Sequence, residues 1–324
     1  MPFGGRFDGA LGVMAALEVL LAVEERRMSL NANLEAIDFT DEEGYHVNFL
    51  GSRAFAGKLR PEHMECLPGD RELLLDALQR AGLTEGSLFG TAREPASLAG
   101  YLELHVEQGG RLAEADLDIG IVTGIVGLRY FRIRFVGRAN HAGTTPMAQR
   151  LDAAQGASAF TLSVREVVMS EFPCSVATVG NMEFEPGVFN VVPQVATVTL
   201  EFRAEDDRKL DEMQAVLLKR ASISAERFGL GLEIEHVNST PAAPMDSRIR
   251  AAFAGACETL GLRYTRIASG AAHDAQCLAD VCPTGMIFVP SVGGFSHSSR
   301  EFTRWEDCVN GGNALLQAAL LLAQ

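Results

Sequence analysis

Four places in this 324-residue sequence carry side chains whose types could do chemistry together: Asp8, the triplet Asp41-Glu42-Glu43, His105 and His297. Such a mixture suits a pair of hard divalent ions. Those ions need a shared carboxylate, further carboxylate or imidazole ligands, and a spare carboxylate to act as base. Adjacent glutamates in one loop fit that division, because neighbouring side chains diverge and one can hold metal while the other moves a proton. Each group has a plainer reading when taken singly. Asp8, followed by Gly9 and an amphipathic run, is placed to cap a helix, where backbone N–H groups and the macrodipole favour an acid. The acidic triplet alone is a solvated turn, and either histidine alone is a hydrogen-bonded loop residue. What joins the four is placement, since all fall at loop ends of one α/β unit.

The elements that must position them follow from periodicity. The apolar spacing predicts a helix over 10–27, with Leu11, Met14, Leu17 and Leu21 on one face. LEAIDF (34–39) reads as a short apolar strand running into the acidic loop, and SRAFAG and ELLLDALQRAG read as helical. YLELHVEQGG brings a strand edge to His105, and IGIVTGIVG is an apolar, Gly-punctuated strand. From residue 128 the texture changes: LRYFRIRFVG alternates polar and apolar residues, the period of a strand with one solvated face. A helix (152–169), strands at SVATVGNMEF and QVATVTLEFRAED, a long helix (207–228) and a strand at GLEIEHV complete a βαββαβ unit of ferredoxin-like order. After the Pro-rich joint NSTPAAPMD (238–246) come a helix at 247–261, the buried strand GMIFVP, the loop SVGGFSHSSRE and a last helix (306–322). The expected organisation is an α/β domain, residues 1–127 and 239–324, interrupted by a smaller domain, 128–238.

Composition narrows the class. A net charge of −14 disfavours nucleic acid and anionic membrane as partners. No apolar run reaches the roughly 20 residues of a membrane span. The N-terminus shows no signal-peptide pattern, and the six cysteines (66, 174, 257, 277, 282 and 308) form no CxxC pair. They read as small core residues of a reduced protein, so a soluble cytoplasmic protein is expected.

The segments GGRFDGALGV, FTDEEG, LHVEQG, NHAGTTPM, FNVVP and SGAAHDA…PTGMIFVPSVGGFSHSSRE resemble, in order, motifs of one family. It is the N-carbamoyl-L-amino acid hydrolase, allantoate amidohydrolase and β-alanine synthase group of di-metal amidohydrolases, related to the aminoacylase and carboxypeptidase G clan. The resemblance spans essentially the whole chain. It implies a di-metal, aminopeptidase-like α/β catalytic domain, three-layered with a mixed sheet, and an inserted ferredoxin-like lid and dimerisation domain. It implies that Asp8 bridges two metals, that Glu43, His105 and His297 are further ligands, and that Glu42 is the general base. It also implies that His141 stabilises an oxyanion across a homodimer interface, in the partner's site. Gln108, Asn190, Arg203, Gly270 and His273 match positions that handle substrate, although Ala271-Ala272 stands where relatives usually carry Ala-Gly. Independently, a guanidinium at the end of TLEFR suits bidentate pairing with a substrate carboxylate.

Members of this family usually read His-x-Asp before the Gly-Gly that opens the first motif, with that His a metal ligand. MPFGGRFDG begins inside the motif, so an upstream His-x-Asp is expected just before Met1. The chain as written is then expected to hold one metal tightly, through Asp8, Glu43 and His297, and the other weakly. The expected cofactors are two divalent ions, zinc first, with manganese, cobalt or nickel compatible with the same ligands. The expected activity is hydrolysis of a linear C–N bond in a carbamoyl or ureido group. The alternatives are an N-acyl or peptide amidohydrolase of the same clan, and an inactive dimer-forming remnant.

Overall fold

The computed structural model describes residues 5–65 and 70–324; Cys66, read above as a core thiol, lies outside them. Two compact units result, one built from the chain up to Ile125 together with Pro244–Gln324, the other from Val126–Ala243.

In the first unit, β1 (Tyr101–Val106) pairs in parallel with β9 (Thr284–Val289), which pairs antiparallel with β2 (Ile119–Ile125). β2 also takes β8 (Tyr264–Ser269) in parallel, so the sheet is mixed. Every residue of TGMIFV in β9 is buried, as a strand covered on both faces requires. Leu102, Leu104 and Val106 of β1 face a core shared with Ile287 and Val289. Helices Ala10–Glu25, Ser247–Leu260 and Trp305–Ala323 close that core with Ala15, Val19, Phe253, Ala314 and Ala318. Each fully buried Phe, Leu or Ile contributes about 1.5–3 kcal/mol. Strand periodicity turns the intervening residues, Glu103 and His105, to the opposite face. Register then sets the site's level: Val106 lies beside Val289, so the loops after β1 and β9 leave the same carboxyl edge of the sheet.

The second unit contains β3 (Gly127–Val136), a helix (Ala153–Glu171), β4 (Val176–Glu185), β5 (Val195–Ala204), a second helix (Asp207–Arg227) and β6 (Gly231–Thr240). This is the expected βαββαβ order, and the antiparallel sheet runs β4-β5-β3-β6. Phe131, Ile133 and Phe135 of β3 and Val198, Leu200 and Phe202 of β5 point into a core closed by Phe160, Val164, Met213 and Leu217 of the helices. The charged residues between them on β3 pair on the other face, Arg132 with Glu235 at 2.7 Å and Arg134 with Glu233. Asp152 and Asp206 cap the two helices, accepting from Ala154 N and Lys209 N at 3.0 and 2.7 Å. The chain leaves through the two-residue β7 (Ala243–Pro244).

Three sequence expectations are corrected. LEAIDF forms no strand; residues 32–39 have no ladder partner among the described residues, because apolar character alone does not supply a neighbour to bond to. The first helix does not bury Met14, Leu17 and Leu21, which are 63, 43 and 51% exposed. It packs instead through Gly12, Ala15 and Val19, small residues that let it approach β1, with Leu11 against the same core. Cysteines 257, 277, 282 and 308 are buried as expected, whereas Cys174 is exposed.

The close approach is testable. A Cβ on Gly12 would lie 2.5 Å from the Leu104 carbonyl oxygen, a backbone atom that cannot yield cheaply, whereas one on Gly312 in the last helix meets nothing within 4 Å. Gly12→Ala is expected to cost about 1–3 kcal/mol by overpacking, and Gly312→Ala to gain up to about 1 kcal/mol from helix propensity. Denaturant unfolding of both variants checks the pair; equal effects would remove the packing argument.

Candidate metal centre

Asp8 sits one residue before the N-cap of the first helix, and that cap is Gly9, at φ 68° and without a side-chain hydrogen bond. The capping role proposed for Asp8 is thereby replaced. Its Oδ1 lies 3.0 Å from His105 Nε2 and its Oδ2 3.2 Å from His297 Nε2. Glu43 Oε1 lies 3.2 Å from the same His297 nitrogen. Gln108 Nε2 and Ser296 Oγ donate to Asp8 Oδ2 at 3.0 and 3.2 Å. One carboxylate therefore presents each oxygen to a different imidazole, and donor atoms of Asp8, Glu43 and His297 all fall within 4.8 Å of one another.

Local backbone choices bring these groups together. His105 is the fifth residue of β1, and its Nδ1 lies 2.9 Å from the Val106 carbonyl oxygen. A carbonyl only accepts, so Nδ1 carries the proton and Nε2 is the nitrogen turned to Asp8. Asp41, Gln108 and His297 stand at φ 59, 56 and 50°, the left-handed region that residues with a Cβ seldom adopt. Asp41 supports its own turn: its carboxylate accepts from Tyr45 N, His46 N and Val47 N at 2.6, 2.8 and 2.7 Å. That turn carries Glu42 and Glu43. Gln108 N–H donates to Ser291 Oγ at 3.1 Å, tying the loop after β1 to the loop after β9.

Charge is unevenly distributed. Burial works against the Asp8 anion, yet the hydrogen bond and charge of His105, with Gln108 and His297, hold its carboxyl well below the usual range. Burial also works against the charged His105 ring, but the Asp8 hydrogen bond and the Glu103 and Asp8 charges push it up to about 9. Glu42 is pushed up to about 8 by burial and by the negative charges of Asp274, Glu43 and Glu103. Asp274 is pushed up to about 7 by burial and by Glu103, while Glu43 and Glu103 are raised mainly by burial. Asp8, Glu42, Glu43, Glu103, His105 and Asp274 line one cavity of about 1080 Å³. Carboxylates crowded this way lack positive charge, and the donor set of two imidazoles and several carboxylate oxygens is one that divalent ions accept. The residues present fit the implied metals.

The other expected positions divide. Gln108 lies against Asp8 and His297, with Oε1 buried and unpaired. His273 is buried, its Nε2 2.9 Å from Ser269 Oγ and its ring 4.5 Å from that of His105; burial and the His105 charge push it well below the usual histidine range. Gly270 is exposed at the start of the same loop. In the second unit, His141 and Asn190 meet across paired loops, through a His141–Val191 bridge and Ala142 N donating to the Asn190 carbonyl at 2.9 Å. His141 Nδ1 accepts from Gly143 N–H at 3.2 Å, which leaves Nε2 as the protonated, exposed nitrogen of the neutral ring. Arg203, half-buried, donates from Nε to Glu201 Oε1 at 2.5 Å, and it lies at the opposite end of β5 from the loop of Asn190.

Sequence reasoning did not assign roles to Glu103, Asp274, Ser296 or Glu301, nor a supporting role to Asp41. The signal was present only for Glu103, two residues before His105 and so on the same strand face. Because Asp41 holds its turn through three amides, Asp41→Ala is expected to speed exchange of the Tyr45, His46 and Val47 amide hydrogens by about tenfold or more. Residue-resolved hydrogen exchange measures it; unchanged protection would show that the turn stands without the carboxylate.

Residues 4–321 match the peptidase family M20/M25/M40. The chain is 38% identical over 323 residues to an N-carbamoyl-L-amino acid amidohydrolase of Geobacillus stearothermophilus, covering 99% of this chain and 79% of the relative. It is 32% identical to the allantoate amidohydrolase of Escherichia coli K12, covering 99% and 78%. The crystal structure of an amidase of the hydantoinase/carbamoylase family from Burkholderia multivorans superposes with a TM-score of 0.87 at 35% identity, covering 100% of this chain and 78% of that one. With residues 4–321 matched, a range that spans both units, the chain belongs to peptidase family M20/M25/M40.

Proposed function

We propose that this protein is a metal-dependent amidohydrolase that cleaves a linear C–N bond of a ureido group, in an N-carbamoyl amino acid or a compound such as allantoate. The observation that carries this reading is the Asp8 carboxylate placed between His105 and His297, with Glu43 on the second imidazole. Its relatives with carbamoyl- and allantoate-hydrolysing names support the bond type. Asp8, Glu43, His105 and His297 would hold two divalent ions, with zinc the first candidate. When bound, such ions supply Lewis acidity that polarises a carbonyl and lowers the pKa of water.

The chain's own residues do the rest. Glu42, beside the ligand Glu43 and lining the same cavity, takes a proton from the attacking water and returns it to the leaving nitrogen. Addition of water across the carbonyl and loss of that nitrogen gives the free amine and carbamic acid, which falls apart to CO2 and ammonia. His141 Nε2–H donates to the oxyanion as it forms. Arg203 pairs with a substrate carboxylate, and Gln108, Gly270 and His273 border the substrate. Asn190, in the loop paired with that of His141, reaches it from the same copy as His141.

His141 acts in the site of a second copy, and the protein is a homodimer through the inserted unit. Two observations support this. At about 3.3 Å per residue, the Val195-to-Arg203 run spans roughly 26 Å, so Arg203 and His141 of one copy cannot grip the same small substrate. Val188 and Phe189, just before Asn190, are 51% and 109% exposed, an apolar tip suited to burial against another chain.

Three experiments test the reading. Glu42→Gln is expected to lower turnover by about 10²–10⁴ with bound metal unchanged; joint loss of metal and activity would make Glu42 a ligand. Mixing His141→Ala chains with Glu42→Gln chains is expected to restore part of the activity, and mixed dimers without activity would refute the shared site. Substrate profiling sets the class: ammonia from ureido compounds is expected, whereas a carboxylic acid from N-acyl compounds would favour an acylase of the same family.

A further inference from the structure

We infer that Glu301 is a positioning residue for the Asp8 centre: its buried carboxylate fixes the backbone that aims Asp8 and links it to the loop carrying His297. This rests on the reading of Asp8 as a metal ligand. Glu301 is 1% exposed. Its Oε1 accepts the backbone N–H of both Phe7 and Asp8, at 2.9 and 3.0 Å. These amides lie just ahead of the first helix, where no helical carbonyl is available to them. Two hydrogen bonds from successive amides to one oxygen hold the Arg6–Phe7 and Phe7–Asp8 peptide planes, and so the point from which the Asp8 side chain leaves the backbone.

The second oxygen makes the link to His297. Ser296 Oγ lies 3.4 Å from Glu301 Oε2 and 3.2 Å from Asp8 Oδ2. The hydroxyl thus stands between the two carboxylates, one residue before His297. Glu301 is itself held, its N–H donating to the Ser298 carbonyl at 3.0 Å. On either side of the loop, Val292 N–H donates to the Phe302 carbonyl at 2.8 Å, and Thr303 Oγ1 to the Pro290 carbonyl at 3.1 Å. The loop after β9 is therefore a closed frame, and Glu301 projects from it onto the Phe7–Asp8 segment.

Gly5 fits this arrangement. A Cβ there would stand 1.9 Å from the carboxyl carbon of Glu301, so any larger residue would displace the carboxylate. Asp8 must offer one oxygen to His105 on β1 and the other to His297 on the β9 loop. A shift of the Phe7–Asp8 backbone spoils one of the two, which is why a group that touches no metal controls the centre.

The test titrates zinc into the metal-free 324-residue protein, with circular dichroism of each variant to verify folding. Asp8→Asn is expected to lose the site. Glu301→Ala is expected to weaken zinc binding about 10–100-fold, the usual effect of removing a partner that orients a ligand. Glu301→Gln keeps an oxygen where Oε1 stands and is expected to stay within about threefold of wild type. Wild-type affinity in Glu301→Ala, with loss in Asp8→Asn, would overturn the positioning role alone; so would Glu301→Gln binding as weakly as Glu301→Ala. Wild-type affinity in Asp8→Asn would overturn the metal reading and this inference together. If Glu301→Ala does not fold, Glu301→Asp, which withdraws the carboxylate by one methylene, carries the same expectation, and unchanged affinity there overturns the inference.

Discussion

A single carboxylate with its two oxygens turned to two imidazoles is the constraint on which the site depends. His105 Nε2 stands 3.0 Å from one oxygen of Asp8 and His297 Nε2 3.2 Å from the other. The three residues come from a helix start, a strand end and a loop almost 300 positions away from Asp8. Parallel pairing of β1 with β9 makes this possible, since Val106 and Val289 are level and both loops leave the same sheet edge. The first helix must also lie close to β1, hence Gly12 beneath the Leu104 carbonyl. Left-handed backbone at Asp41, Gln108 and His297 is the strain that the surrounding hydrogen bonds hold in place.

Electrostatics supplies the second constraint. Glu42, Glu43, Glu103 and Asp274 are all shifted toward the neutral form, with burial the largest cause for each. A fold that gathers carboxylates in a partly closed cavity accepts a cost of several kcal/mol unless cations offset it. His105 offsets part, and the buried neutral ring of His273 packs against it without adding charge. The geometry and the charge deficit agree on divalent ions.

Much of this was legible in the sequence. Period-two and period-3.6 patterns located β3, β5 and the two helices of the second unit because each has one clear buried face. They also located β4 and β6, although these bring only partly buried apolar residues to the core. The pattern misled where burial was not set by side-chain size. Met14, Leu17 and Leu21 outrank Ala15 in hydropathy, yet the helix packs through its small residues. LEAIDF is apolar enough for a strand but has no described ladder partner. The residues that meet at Asp8 were recognisable by type and by loop position. Asp41 and Glu301 were not, since each acts on backbone amides, and no spacing rule reveals which amide a carboxylate will reach.

The account is tested most directly by anomalous diffraction at the zinc absorption edge from crystals of the zinc-loaded protein. It predicts a peak within coordination distance of Asp8, Glu43 and His297. A peak bound elsewhere, or none at this carboxylate in zinc-saturated crystals, would contradict it.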